Sequence, residues 1–387
     1  MAGFWAIVDH GADAVAVAAA MPMLARAGIH DPVALHAPRE LLGSLDFPDG
    51  VSPDASLNTS PPALVGALHG RLGVIDHPAF HASERERARW VASLCAAGVP
   101  VSCAEPSAEL RELLGPELAG LVGSARPRDL ADLDARERLS VAMRRAALRD
   151  HVERAAPPPV SVVFATRREE WLEHGLAQVE RQSYEPRELV CCLHGPEFSA
   201  DVESRIRAAV SGEVKVVRVD GELTLGDALN AGVAASEGEL VTKMDDDDYY
   251  NVDHLWDLAL ACEYSGADLV GKGAEFVYLG GSVDLTIRRF MGDGESDHPR
   301  LAGGALMARR GPLEAIGGWP VRNRGEDTWI VKNFQAAGRK TYRCHGFGYI
   351  LNRHFRGHTW NTFVDYFLVQ SQREWRGLRL DEAGIEP

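Results

Sequence analysis

From Val160 onward the hydrophobic positions run in blocks rather than in alternation. Val160-Ser-Val-Val-Phe-Ala165 is apolar almost throughout, the pattern of a strand covered on both faces. Trp171, Leu172, Leu176 and Val179 then share one face of a helix. The cycle repeats through Glu188–Leu193 as a strand, Val202–Val210 as a helix and Val214–Val219 as a strand. Gly226–Ser236 follows as a helix and Glu239–Met244 as a strand. This order, βαβαβαβ with short connections, predicts a parallel sheet.

Upstream the same alternation is seen. Strands are expected at Phe4–Val8, Val33–His36, Leu72–Ile75 and Val99–Cys103. Helices are expected at Ala14–Ala27, Glu84–Ala97, Ala108–Leu118 and Leu130–Val152. These also predict an open parallel sheet with covering helices. Asp9, His10, Asp76 and His77 fall at strand ends and read as polar termini, because no recognisable motif surrounds them. Between the halves stands Ala155-Ala-Pro-Pro-Pro159, whose three prolines fit neither helix nor inner strand. The chain therefore reads as two α/β domains, residues 1–154 and 160–387, joined by a linker at 155–159.

Composition narrows the classes. With 387 residues, 45% hydrophobic and 25% charged, the chain fits a soluble globular protein. Its net charge of −15 disfavours nucleic acid as a partner. The apolar N-terminal run is interrupted by Asp9, His10 and Asp13 and lacks a basic start, so it reads as neither signal peptide nor spanning helix. Six cysteines include no C-x-x-C pair, and Cys191–Cys192 point to opposite faces of a strand; buried reduced thiols in a cytoplasmic protein are expected.

Three clusters carry chemistry. Asp245-Asp-Asp-Asp248, directly after a strand, crowds four carboxylates that would repel one another unless a cation lies among them. Oxygen ligands at that edge suit Mg²⁺ or Mn²⁺, which keep open positions for a diphosphate. In an extended segment Asp245 and Asp247 project to the same side and could share one ion. The competing reading is a solvated acidic turn. Glu326–Asp327 opens a helix, as a cap or as a general base. Asn352-Arg-His-Phe-Arg-Gly-His-Thr-Trp-Asn361 interleaves two histidines and two arginines with aromatics, and its cations could neutralise a leaving phosphate.

In that order and spacing, these features resemble the inverting glycosyltransferases of family 2, which have the GT-A fold. The resemblance spans residues 160–361. It includes the opening strand Val160–Thr166, the helix and second strand Glu180-Arg-Gln-Ser-Tyr-Glu-Pro-Arg-Glu-Leu-Val190, and Ala228-Leu-Asn-Ala-Gly232 with Glu237-Gly-Glu-Leu-Val241. Asp245–Asp248 is similar to the D-x-D-D motif, and Gly303-Gly304 and Gly317-Gly-Trp319 resemble the segment before the Glu-Asp motif. The resemblance implies that Ala165, Thr166 and Arg167 border the nucleotide base and that Asp246 reaches the ribose. It implies Asp247, with Asp245, as metal ligand, and His354, with His358 as substitute, completing the metal shell or touching phosphate. Gly303, Gly304 and Glu326 would line the donor and acceptor pocket, and Asp327 would be the base. Where the family has Asp-Asp-Gly this chain has Leu193-His194-Gly195, so His194 takes the place of a base-edge carboxylate. Arg167 replaces an aromatic residue and could stack on the base.

The N-terminal domain vaguely resembles a Rossmann-like half of a two-Rossmann glycosyltransferase, through its last helix. The reaction implied is metal-dependent transfer of a sugar from a nucleotide-diphosphate sugar to an acceptor hydroxyl on a glycan, natural product or lipid-linked molecule. The alternatives are a sugar-phosphate nucleotidyltransferase, for which no G-x-G-x-R loop is present, and a non-catalytic sugar-nucleotide-binding scaffold. The stretch Thr362–Val369, followed by Arg373, Arg376 and Arg379, reads as a packed terminal helix or at most a peripheral membrane contact.

Overall fold

The computed structural model describes residues 5–8, 72–76, 78, 81, 83–103, 105–151, 156–195, 198–281, 283–289, 295, 300–322, 324–354 and 363–386. The expected helix Ala14–Ala27, the strand Val33–His36, and Asp9, His10, His77 and His358 lie outside the described residues. The chain divides into two compact units, 1–154 and 155–387.

In the first unit, strands β1 (Trp5–Val8), β2 (Leu72–Asp76) and β3 (Val101–Cys103) form one sheet in that order. β2 and β3 are parallel, but β1 runs antiparallel to β2, with Trp5 opposite Ile75. The described sheet is therefore mixed, not parallel throughout as the alternation suggested. Helix α1 (Glu84–Ala96) packs Trp90, Val91, Leu94 and Cys95 into a core shared with the helices that follow. The single helix expected over 108–118 is broken into α2 (Ala108–Leu114) and α3 (Pro116–Ser124). Pro116 has no N–H to continue α2 but suits the first turn of α3. Likewise 130–152 resolves into α4 (Pro127–Ala131) and α5 (Leu133–His151). The buried Asp76 carboxylate lies 2.7 Å from His81 Nε2 and accepts from Arg87 Nε at 2.7 Å. Burial opposes its charge, yet His81 and Arg87 hold it below the ordinary carboxylate range. Asp76 thus ties its strand to α1, in keeping with a polar strand end.

The second unit contains a seven-stranded and a five-stranded sheet. The first is built on β4 (Val160–Thr166), β5 (Arg187–His194), β6 (Glu213–Val219) and β7 (Leu240–Met244), all parallel where they pair. β4 lies between β5 and β7 and is buried along nearly its whole length, which accounts for its unbroken apolar run. One face packs Val162 and Phe164 against Leu172, Leu176 and Val179 of α6 (Leu172–Glu180). The other packs Val163 against Ala228, Leu229 and Val233 of α8 (Leu225–Ala235). Cys191 joins the first core and Cys192 the second, as alternation requires. All six cysteines are free and buried, and burial pushes the Cys192 thiol up to about 12.

Truncating Phe164, which is fully buried, should cost about 3–5 kcal/mol. A methyl group on Gly175 would collide with its ring, so little slack exists to fill the cavity. Urea unfolding of Phe164→Ala measures this; a loss below about 1 kcal/mol would mean the core collapses around the gap.

The remaining helices of this unit include α7 (Val202–Ala209) and α9 (His254–Ser265). Beyond β7 the chain adds the two-residue β8 (Tyr249–Tyr250), then β9 (Leu269–Lys272), β10 (Phe276–Tyr278), β11 (Leu285–Arg289) and β12 (Ala305–Arg309). Helices α10 (Arg310–Ala315) and α11 (Glu326–Ala336) precede β13 (Thr341–Cys344) and β14 (Tyr349–Asn352). The large sheet has the order β13-β9-β12-β7-β4-β5-β6, with β12 antiparallel to both neighbours. A five-residue helix α12 (Val364–Leu368) and strand β15 (Ser371–Arg376) follow, with a short 3-10 turn at Asp381–Ala383 after them. Phe367 is buried beside Val277 and Ile287, which is the packing expected of a terminal helix. Phe363 and Val369 remain exposed. Among the described residues, no helix is long and apolar enough to cross a membrane.

Candidate active site

The parallel strands β4 and β7 end side by side, delivering Thr166 and the four aspartates to one edge of the sheet. Past Met244 the chain leaves the strand and bends at Asp246 and Asp247. The four carboxylates consequently find different partners. Asp245 lies 2.8 Å from Lys243 Nζ. Asp246 accepts from Thr166 Oγ1 at 2.6 Å and is gripped by both arms of the Arg168 guanidinium. Asp247 Oδ2 is 2.8 Å from His354 Nε2 and 3.0 Å from an Arg168 nitrogen. Asp248 is fully enclosed and accepts from Tyr349 Oη at 2.7 Å and from the Asn352 N–H at 2.9 Å. Burial raises its pKa well above the usual carboxylate range, and Asp247 and Asp245 add to the rise.

The extended geometry under which Asp245 and Asp247 would share one ion is thus replaced by a bend that sends them to separate cations. Asp248 serves instead as an anchor: with Asn352 Nδ2 donating to the Asp247 carbonyl at 3.0 Å, it fastens the end of β14 to the acidic loop. That fastening brings His354 to Asp247. The His354 ring stacks on Trp171 with centroids 4.8 Å apart, which fixes its plane.

Gly303 and Gly304, just before β12, permit the close approach. A Cβ on Gly304 would sit 2.5 Å from Asp248 Oδ2 and 3.0 Å from Asp245 Oδ2. One on Gly303 would sit 3.3 Å from the Asp327 Cβ. The Lys243 ammonium, fully buried, donates to the Gly303 carbonyl at 3.0 Å and lies 3.8 Å from Glu326 Oε1. Burial opposes its charge, but Asp245 and Glu326 outweigh that and raise its pKa. Glu326, the inward residue of the pair, is pushed up by burial although Lys243 opposes the shift. Asp327, half-buried in the first turn of α11, accepts from the Thr328 N–H at 2.6 Å.

The other candidates cluster at the loop after β6. His194 is buried, its Nε2 3.0 Å from the Leu223 carbonyl, and burial followed by the nearby Arg167 lowers its pKa. Arg167 is exposed and donates to the Gly221 carbonyl. Ala165 is half-buried beside them. The segment leading to Glu326 is locked to α8 by Asn230. Its side chain donates to the Trp319 carbonyl at 2.9 Å and accepts from the Trp319 N–H at 2.7 Å. Gly318, with φ of +77°, makes the turn that presents that peptide.

Lys243 and Arg168 were not singled out in the sequence. Lys243 carried a signal, being a lysine inside an otherwise apolar strand; Arg168 carried none beyond following Arg167.

Among the described residues no three His, Cys, Asp or Glu side chains converge to hold a metal ion by themselves. Asp247 and His354 are two convergent donors, and they fit an open site for a hard divalent ion whose shell substrate oxygens and water would complete.

No curated protein matches the sequence. Among solved structures, S. aureus TarS in complex with UDP-GlcNAc is 16% identical with a TM-score of 0.43, the match covering 54% of this chain and 62% of that one. The mannosyltransferase PcManGT from Pyrobaculum calidifontis, in complex with GDP-Man and Mn²⁺, is 18% identical with a TM-score of 0.37, covering 48% and 55%. GalNAc-T7 with UDP, GalNAc and Mn²⁺ is 16% identical with a TM-score of 0.43, covering 54% and 46%. The chain thus spans less than two thirds of the length of each. Residues 161–288, from the opening strand through the acidic loop to β11, match the family described as Glycosyl transferase family 2. That stretch of the second unit is thus similar to glycosyltransferase family 2, and it lies on an α/β arrangement built around a parallel sheet.

Proposed function

We propose that the chain transfers a sugar, with inversion, from a nucleoside diphosphate sugar to an acceptor hydroxyl. The observation that carries this reading is Lys243, whose ammonium meets Asp245, the Gly303 carbonyl and Glu326. It joins at one strand edge three motifs that are far apart in sequence, as a site for two substrates requires. Thr166 and Asp246 would face the nucleoside, with Ala165, Arg167 and His194 bordering the base. Asp247 and His354 would hold Mn²⁺ or Mg²⁺, which when bound compensates the charge of the departing diphosphate. Asp327 would take the proton from the acceptor hydroxyl. As the acceptor oxygen bonds to the anomeric carbon, the bond to the diphosphate breaks and its electron pair leaves with the phosphate. One in-line displacement of this kind inverts the carbon. Gly303 would leave room for the sugar beside Asp327.

The test is a thermal-shift screen of nucleoside diphosphate sugars with Mn²⁺, followed by detection of released nucleoside diphosphate. A donor at about 100 times its Kd should stabilise the fold by about 2.7 kcal/mol. It should also be hydrolysed slowly without acceptor. Stabilisation with no hydrolysis and no transfer to any acceptor would favour a binding scaffold; no stabilisation by any donor would defeat the proposal.

A further inference from the structure

Arg168 stands where the acidic loop needs a cation. Its Nε donates to Asp246 at 3.2 Å and another nitrogen to the same carboxylate, forming a two-armed grip. The arm that reaches Asp246 also lies 3.0 Å from Asp247 Oδ2, and the remaining nitrogen lies 3.1 Å from His354 Nε2. Among the described residues, Asp247 and His354, the two donors that would take a divalent ion, therefore both lie within reach of one guanidinium. A short tether holds it in place: the Arg168 N–H donates to Thr166 Oγ1 at 3.0 Å, and that hydroxyl also donates to Asp246. Planar, always charged and less strongly hydrated than an ammonium, a guanidinium tolerates such burial.

On the reading of the site given above, we propose that Arg168 is its resident counter-cation, competing with the divalent ion for Asp247 and His354. Metal alone then meets a site already neutralised, and binding it requires the guanidinium to leave Asp247 and His354. A form with Arg168 withdrawn that is populated at about a tenth or less weakens apparent metal affinity about tenfold or more. Arg168 thus suppresses metal loading in the absence of donor, while a bound diphosphate offers the displaced guanidinium phosphate oxygens in exchange for the Asp247 carboxylate.

The probe is Mn²⁺ alone, titrated into the full-length protein by calorimetry and by electron paramagnetic resonance. Arg168→Ala is expected to bind Mn²⁺ at least about tenfold more tightly than wild type, and Mn²⁺ should raise its Tm more. Should the alanine variant fail to fold, Arg168→Gln, which keeps donor groups without the charge, gives the same comparison. The gain must vanish when Asp247→Ala is added, which assigns it to this site. Wild type binding Mn²⁺ as tightly as both variants would overturn the competition and leave the proposed reaction standing. Absence of Asp247-dependent Mn²⁺ binding in every form would overturn the competition and the metal assignment together.

Discussion

Asp327→Asn is expected to lower kcat by about 10²–10⁴-fold with donor KM nearly unchanged, the range a positioned general base contributes. The substitution keeps shape and keeps an oxygen to accept from the Thr328 N–H, so the first turn of α11 should remain intact. What is lost is proton acceptance at a half-buried carboxylate whose Cβ lies against Gly303. Glu326→Gln should cost less in kcat, because Glu326 is buried toward Lys243 instead. Turnover of both variants with the true acceptor, once the screen has named the donor, checks the assignment. Near-wild-type kcat in Asp327→Asn beside a crippled Glu326→Gln would move the base to Glu326. Near-wild-type kcat in both would reduce the pair to a helix cap.

The second large effect is expected of Asp247→Ala. Mn²⁺ binding should weaken at least about 100-fold, about 2.7 kcal/mol, because one of the two convergent donors among the described residues is gone. Metal-free stability should change little, because removing Asp247 relieves repulsion on Asp246 and Asp248 but also gives up its contacts with Arg168 and His354. A metal-free Tm close to wild type, together with loss of the Mn²⁺ response, is the expected pair of results. If Asp247→Ala bound Mn²⁺ as wild type does, the ligand assignment to Asp247 and His354 would fail.

Much of the second unit could be read from its residues, because burial on both faces leaves an unmistakable apolar strand. Val160–Thr166 and Arg187–His194 match the expected elements within a residue or two. The acidic cluster was legible for an electrostatic reason: four adjacent carboxylates demand compensation. Which cations supply it was only half legible: Lys243 stands in β7 two residues before Asp245, whereas Arg168 reaches the cluster from the end of β4, whose pairing with β7 exists only in the fold. The separate fates of Asp245 and Asp247 were hidden for a related reason. Projection to one side holds for an extended chain, and the loop bends where Gly304, Tyr250 and β14 crowd it. Strands after Met244 were not anticipated. Most have three to five residues, and segments that short carry little periodicity.

Strand β12 has a consequence for how the chain reaches this state. It pairs with β7 on one side and β9 on the other, yet it is made after both. Until residue 309 leaves the ribosome, β7 presents an open edge, and β9, whose other partner β13 is made later still, has no strand to pair with. Closing the sheet pairs Ala305 with Met244 across a long intervening chain, a non-local step whose loop-closure entropy slows folding. Gly303 and Gly304 enter the sheet edge with that strand, so no nascent chain shorter than this assembles the glycine approach to the acidic loop. Interrupted synthesis of the second unit therefore yields exposed strand edges prone to pairing with other chains, rather than a smaller folded unit.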